Sequence, residues 1–118
     1  MLAKKERLTR KEFDLFFRSG KRHNTSLLQL IHTKHDSFHG AVVVGKKVHK
    51  KAVDRNKTRR RLYAVLYSHK KQQNLSGIYI VITKPAASCA SYALLKKDLI
   101  DLIGRTKDLS KISRQKNT

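Results

Sequence analysis

The sequence predicts an α+β domain with elements in the order α-β-β-α-β-α. Three observations predict it. Apolar residues recur at helical spacing in three separate stretches. Short apolar or β-branched runs lie between those stretches. No internal repeat and no linker interrupts the 118 residues, so residues 1–118 read as one domain, ordered over about 7–105 with a loose basic tail from 106 to 118. A domain of this length buries roughly two-thirds of its unfolded surface, which allows a real but modest core.

The first helix is predicted over Arg10 to Ser19. Thr9-Arg10-Lys11-Glu12 has the capping-box spacing, and Gly20 supplies a stop. Phe13, Phe16 and Phe17 fall at i, i+3 and i+4. Phe13 and Phe17 share one face, while Phe16 is rotated to its side and is expected in the core. Ser26 to His32 is apolar and partly alternating, a strand, and a short extra strand has room beside it. Thr33 to Gly40 reads as a turn. Ala41-Val42-Val43-Val44 is a β-branched run expected to be covered on both faces. A helix follows from Ala52 to Gln73. Ile78 to Thr83 is the last strand, ended by Pro85. Tyr92, Leu95, Leu99, Leu102 and Ile103 then mark a helix from Tyr92 to Arg105, with Ser91 as its N-cap.

The charge narrows the function. There are 28 Lys plus Arg against 8 Asp plus Glu, a net charge of +20. Self-repulsion of that size calls for a polyanion, either nucleic acid or an acidic membrane. Nine of the sixteen residues from Lys46 to Arg61 are cations, and only Asp54 opposes them. A solubilising surface would mix the signs. In the middle helix, Arg55, Arg59, Leu62 and Leu66 lie on one stripe, and Asn56, Arg60, Tyr63 and Tyr67 on its neighbour. Both stripes are polar and mostly cationic in the first half and apolar in the second. Cations in a first helical turn also oppose the helix dipole. An anionic ligand explains both features. A membrane role is disfavoured, because no apolar run reaches the ~18 residues of a span and no helix has an uninterrupted apolar face opposite its cations.

Self-sufficient catalysis finds no support. The acids do not converge as a metal-dependent nuclease requires. His32, His35 and His39 cluster across a strand end and a turn, not on one helix face, and their role stays open. A Gly-rich phosphate loop is absent. The single cysteine, Cys89, cannot form an internal disulfide. The N-terminus lacks an apolar signal segment, and the expected compartment is the cytoplasm. The expected partner is RNA, not DNA and not a membrane.

The run from Gly45 to Leu62, with Lys46-Lys47, Ala52-Val53 and Arg55-Asn56-Lys57-Thr58-Arg59-Arg60-Arg61, resembles the signature of the bacterial ribonuclease P protein component. Arg7-Leu8, Phe13, Phe17 and Gly20 agree with it, as do Tyr79-Ile80-Val81-Ile82, Lys84-Pro85 and Ser91-Tyr92. The likeness covers about Arg7 to Arg105. Lys57 stands where that family has Arg, which keeps the charge but loses the planar fork. Thr58 replaces an aliphatic residue, and Gly45 a Ser or Ala. The resemblance implies a small α/β sandwich with a left-handed β-α-β crossover, against the usual right-handed rule. It implies a complex with a catalytic RNA that uses Mg²⁺ to remove the 5′ leader of precursor tRNA, with no catalytic residue and no metal ligand assigned to the protein and any metal site of its own left open. It assigns Lys46, Lys47, Lys50, Lys51, Arg55, Asn56, Lys57, Arg59, Arg60 and Arg61 to an RNA-binding surface. Phe13 and Phe17 would line a cleft for the single-stranded leader, with Ile31 where relatives often carry an aromatic. The alternatives are a ribosomal protein or general RNA chaperone, and an independent nuclease.

Overall fold

The computed structural model describes residues 6–116, with side chains up to residue 106. Its elements are α1 (Arg10–Ser19), β1 (Lys21–Asn24), β2 (Leu28–Thr33), β3 (Phe38–Val43), α2 (Ala52–Gln73), β4 (Gly77–Thr83) and α3 (Tyr92–Lys116). The four strands form one sheet in the order β1-β2-β4-β3. β1–β2 and β2–β4 are antiparallel, and β3–β4 is parallel. A parallel pair needs a crossover connection, and α2 provides it. The result is the expected α/β sandwich.

Strand alternation divides the sheet into two faces. Leu28 and Leu30 of β2, Tyr79 and Val81 of β4, and Phe38 and Val42 of β3 form one core with Leu62, Val65 and Leu66 of α2 and Leu95, Leu99, Leu102 and Ile103 of α3. Ile31, Ile78 and Ile80 point the other way and are covered by Phe13, Phe16 and Phe17 of α1. Leu62 and Leu66 are fully buried, as the two-part stripe of α2 predicts.

Local chemistry sets the boundaries. Thr9 and Glu12 form the capping box: the Thr9 N–H donates to Glu12 Oε1 at 2.9 Å and the Glu12 N–H to Thr9 Oγ1 at 3.2 Å. Gly20 ends α1 for a reason other than backbone freedom. Its φ is −73°, and a Cβ there would lie 2.4 Å from Ile31 Cγ2. The missing side chain lets the end of α1 lie directly against Ile31 of β2 as the chain enters β1. Asn74, at φ 51°, caps α2 in the left-handed region.

β4 ends at Thr83, before Pro85, as expected, while the start of β3 and the segment after Arg105 need correction. β3 begins at Phe38, three residues before the β-branched run, because Phe38 packs against the α2–α3 side and parallel pairing with β4 starts at Gly77. Pro85 opens a short 3₁₀ turn, Pro85–Cys89, whose exposed last residue is Cys89. The segment after Arg105 continues α3 to Lys116, since nothing beyond Gly104 in the described sequence breaks a helix.

Candidate nucleic-acid interface

The first half of α2 overhangs the β3 edge of the sheet. The Tyr63 hydroxyl accepts the Val42 N–H at 3.3 Å, tying α2 to that strand. Arg7 reaches the same edge, where its backbone bridges to Gly40. Between them lies an open groove of about 590 Å³ lined by Arg7, Val53, Asn56, Lys57, Arg59, Arg60 and Tyr63. Asn56 Oδ1 accepts from Arg59 Nη1 at 2.6 Å, which holds that guanidinium on the groove wall. Lys46, Lys47, Lys50 and Lys51 are exposed on the connection leading into α2.

Two signature cations sit elsewhere. Arg55 turns back and donates to the carbonyls of His49, at 3.0 Å, and Lys50, at 2.7 Å. It ties down the connection at a helix start whose N-cap, Lys51, makes no side-chain bond. Arg61 lies on the other side of α2, its guanidinium 5.3 Å from the centre of the Tyr92 ring on α3. The helical wheel carries this information: Arg61 is one residue from Arg60 and thus about 100° around the axis.

The α1 face is closed in one half and open in the other. Phe13 and Phe17 stack at 5.7 Å, half-buried over Ile31 and Ile80. Phe16 is also only half-buried, its edge toward His35 at 6.4 Å, so its expected place in the core is not the one it takes. Ile31 is 0% exposed. It lies beneath α1 and lines no open cleft, which corrects its assignment. The register puts Asn24, Gln29, Ile82 and Val43 side by side across all four strands, one step beyond the row that α1 covers. Asn24 is exposed, and the other three are half-buried. Arg22 stands at the corner, 4.8 Å from the centre of the Phe17 ring and donating to the Phe17 carbonyl at 2.7 Å. Arg22, Asn24, Gln29, Val43 and Ile82 escape sequence reasoning because the row exists only once pairing is known. Only the i, i+2 relation of Arg22 and Asn24 is visible in the chain itself.

The histidines do not act as a group. His32 packs on Tyr79, with ring centres 4.8 Å apart, on the α2–α3 face. His35 and His39 meet edge-on at 5.2 Å around Ser37. Among the described residues no set of three His, Cys, Asp or Glu side chains is placed to hold a metal ion. Glu12 has its carboxyl lowered below its ordinary range, chiefly by the Thr9 N–H and then by the Thr9 hydroxyl, with smaller contributions from His39 and His35. No helix among the described residues is long and apolar enough to cross a membrane.

This arrangement can bind a phosphate backbone along α2 and hold unpaired bases on the open half of the α1 face. Known proteins share the fold. The ribonuclease P protein of Staphylococcus aureus, in a mutant with defective mRNA degradation activity, aligns with a TM-score of 0.78 at 23% identity over 88% of this chain and 90% of that one. The Thermotoga maritima ribonuclease P protein gives 0.71 at 24% identity over 85% and 96%. The ribonuclease P protein component of Acholeplasma laidlawii (strain PG-8A) is 25% identical over 105 residues, which are 87% of this chain and 90% of that one. The family model described as Ribonuclease P matches residues 2–107, and the chain belongs to that family.

Proposed function

We propose that this chain grips the catalytic RNA through the cationic half of α2 and the 5′ leader of precursor tRNA on the open half of its α1 face. Family membership makes it the protein component of ribonuclease P, a ribonucleoprotein endoribonuclease of tRNA processing. The observation that carries the finer reading is the division of α2. Its apolar half is buried in the core, while Asn56, Lys57, Arg59 and Arg60 line a groove that is open among the described residues. Such placement opposes the helix dipole and is favourable once phosphates neutralise it.

Mg²⁺ in this reading belongs to the RNA, where it supplies the hydrolytic chemistry. Two of the protein's carboxylates have other work: Glu12 caps α1, and Glu6 pairs with Lys70. The chain binds, orients and neutralises.

The test is reconstitution at low Mg²⁺. Adding the chain to catalytic RNA and precursor tRNA should restore cleavage, and Arg59→Ala with Arg60→Ala should lose that effect without a change in melting temperature. With about six phosphate contacts, affinity should fall on the order of a thousandfold from low to physiological salt. A nearly flat salt dependence, or full activity of the double variant, would contradict the proposed surface.

A further inference from the structure

The connection from β3 to α2 carries Lys46, Lys47, Lys50 and Lys51, all four exposed. Like charges this close repel one another and favour an open chain. The segment is nonetheless fastened along its length. The Gly45 carbonyl accepts the Val48 N–H at 3.1 Å and the His49 N–H at 3.4 Å, a tight turn with Lys46 and Lys47 at its tip. Val48, between the two lysine pairs, is 6% exposed and belongs to the core.

The three carbonyls that follow all bond to one residue of α2. Arg55 Nη1 donates to those of His49, at 3.0 Å, and Lys50, at 2.7 Å, and the Arg55 backbone N–H donates to that of Lys51 at 3.1 Å. One turn further along α2, Thr58 Oγ1 and His49 Nε2 share a hydrogen bond at 3.2 Å. Arg55 and Thr58 are at i and i+3, so they share a helix face, and both are half-buried. With its carbonyls drawn to α2 and Val48 in the core, the connection turns its lysine side chains outward.

We propose that Arg55 and Thr58 are positioning residues, which clasp the connection onto α2 so that its four lysines meet the catalytic RNA as a preset array. The inference rests on the α2 surface reading above and moves Arg55 from contact to support. A segment ordered in advance spares binding the cost of ordering it. Opening the clasp lowers the binding-competent fraction, and apparent affinity with it. The number of phosphates neutralised stays the same, so the plot of log K against log[salt] shifts down without changing slope.

The experiment measures affinity of the full chain for the catalytic RNA across a salt series, using variants that keep the charge. In Arg55→Lys the ammonium stops one covalent bond short of the atom that makes both carbonyl bonds. Thr58→Val keeps the shape and removes the hydroxyl. Trypsin digestion of the free protein reads opening at Lys46 to Lys51, because native-state cleavage follows local unfolding. Both variants should be cut faster in the connection, and Thr58→Ser should restore protection. The double variant should lose affinity on the order of tenfold, with its slope and melting temperature unchanged. A slope lower by about 0.7–0.9, the loss of one phosphate contact, makes Arg55 a contact and overturns the inference. Undiminished protection in both variants overturns it too, as does an opened connection with native affinity. Each of these leaves the α2 surface standing. A flat salt dependence of the native chain overturns the surface itself.

Discussion

The two faces of the sheet are built from one alternating pattern and put to opposite uses. On the α2–α3 face, Leu28, Leu30, Val81 and Val42 meet two long helices, and the residues between are sealed from water. On the α1 face, a ten-residue helix with no buried residue covers Ile31 and Ile80 and leaves the next row open. Both faces have an apolar layer, but only one has enough helix to cover it. A surface left half-wet in this way, with aromatics at its edge, is spare binding area that packing has not consumed.

The largest effect expected from breaking this contrast is on the sealed side. Leu66→Ala should destabilise the fold by ~2–5 kcal/mol, since Leu66 is fully buried between α2 and the sheet. Below the melting temperature, the ratio of precursor to mature tRNA affinity should stay unchanged. A variant that melts normally but loses that ratio would show that the α2–α3 face is the binding one.

Phe13→Leu probes the other side. If Phe13 serves as a base platform, replacing it should cost ~1–3 kcal/mol of precursor binding and little mature tRNA binding. Phe17→Leu should do more, because Phe17 also carries the Arg22 guanidinium. If both variants lower the melting temperature and affect the two RNAs alike, the aromatics serve only to cover Ile31 and Ile80.

Thr9→Ala removes one half of the capping box that starts α1. A loss of ~1 kcal/mol is expected, seen as a lower denaturation midpoint. Its consequence should be larger for leader binding than for attachment to the catalytic RNA, because α1 itself walls the open row. Equal loss in both would join the two surfaces.

What the sequence made legible divides along the same line. The bounds of α1 and α2, the capping box and the burial of Leu62 and Leu66 follow from spacing within one helix, which is local information. Ile31 faces α1 as a leader-cleft residue would, but α1 covers it completely, and how far one helix covers a strand is tertiary information. Arg55 and Arg61 read as parts of one cationic face by composition. The helical wheel alone turns Arg61 away from Arg60, but the carbonyls that hold Arg55 and the Tyr92 ring beside Arg61 lie outside α2. Gly20 was placed at the correct boundary, but the close approach of Ile31 that requires it is a tertiary contact.

The smallest expected effect separates the faces by pH. His32, packed on Tyr79, is held below its ordinary value of 6.5 chiefly by burial, with His23 and Lys34 adding repulsion. His23 is lowered from the same 6.5 by burial, Lys21 and Arg105. Both therefore stay neutral in the fold at pH values where the unfolded chain takes up protons. Their contribution is complete above pH 6.5 and is lost as pH falls through their depressed folded values. Glu12 on the α1 side also has a lowered value, but its ordinary value is 4.5, so its contribution holds until the pH drops below that and fades as pH falls through its folded value. Chemical denaturation from pH 7.5 down to pH 3 should thus show the sealed face weakening first and the α1 cap later. His32→Gln should flatten the first decline and leave the second. Glu12→Gln should do the reverse. A first decline that persists in His32→Gln, and in the further variant lacking His23, would place the titrating group on the α1 side.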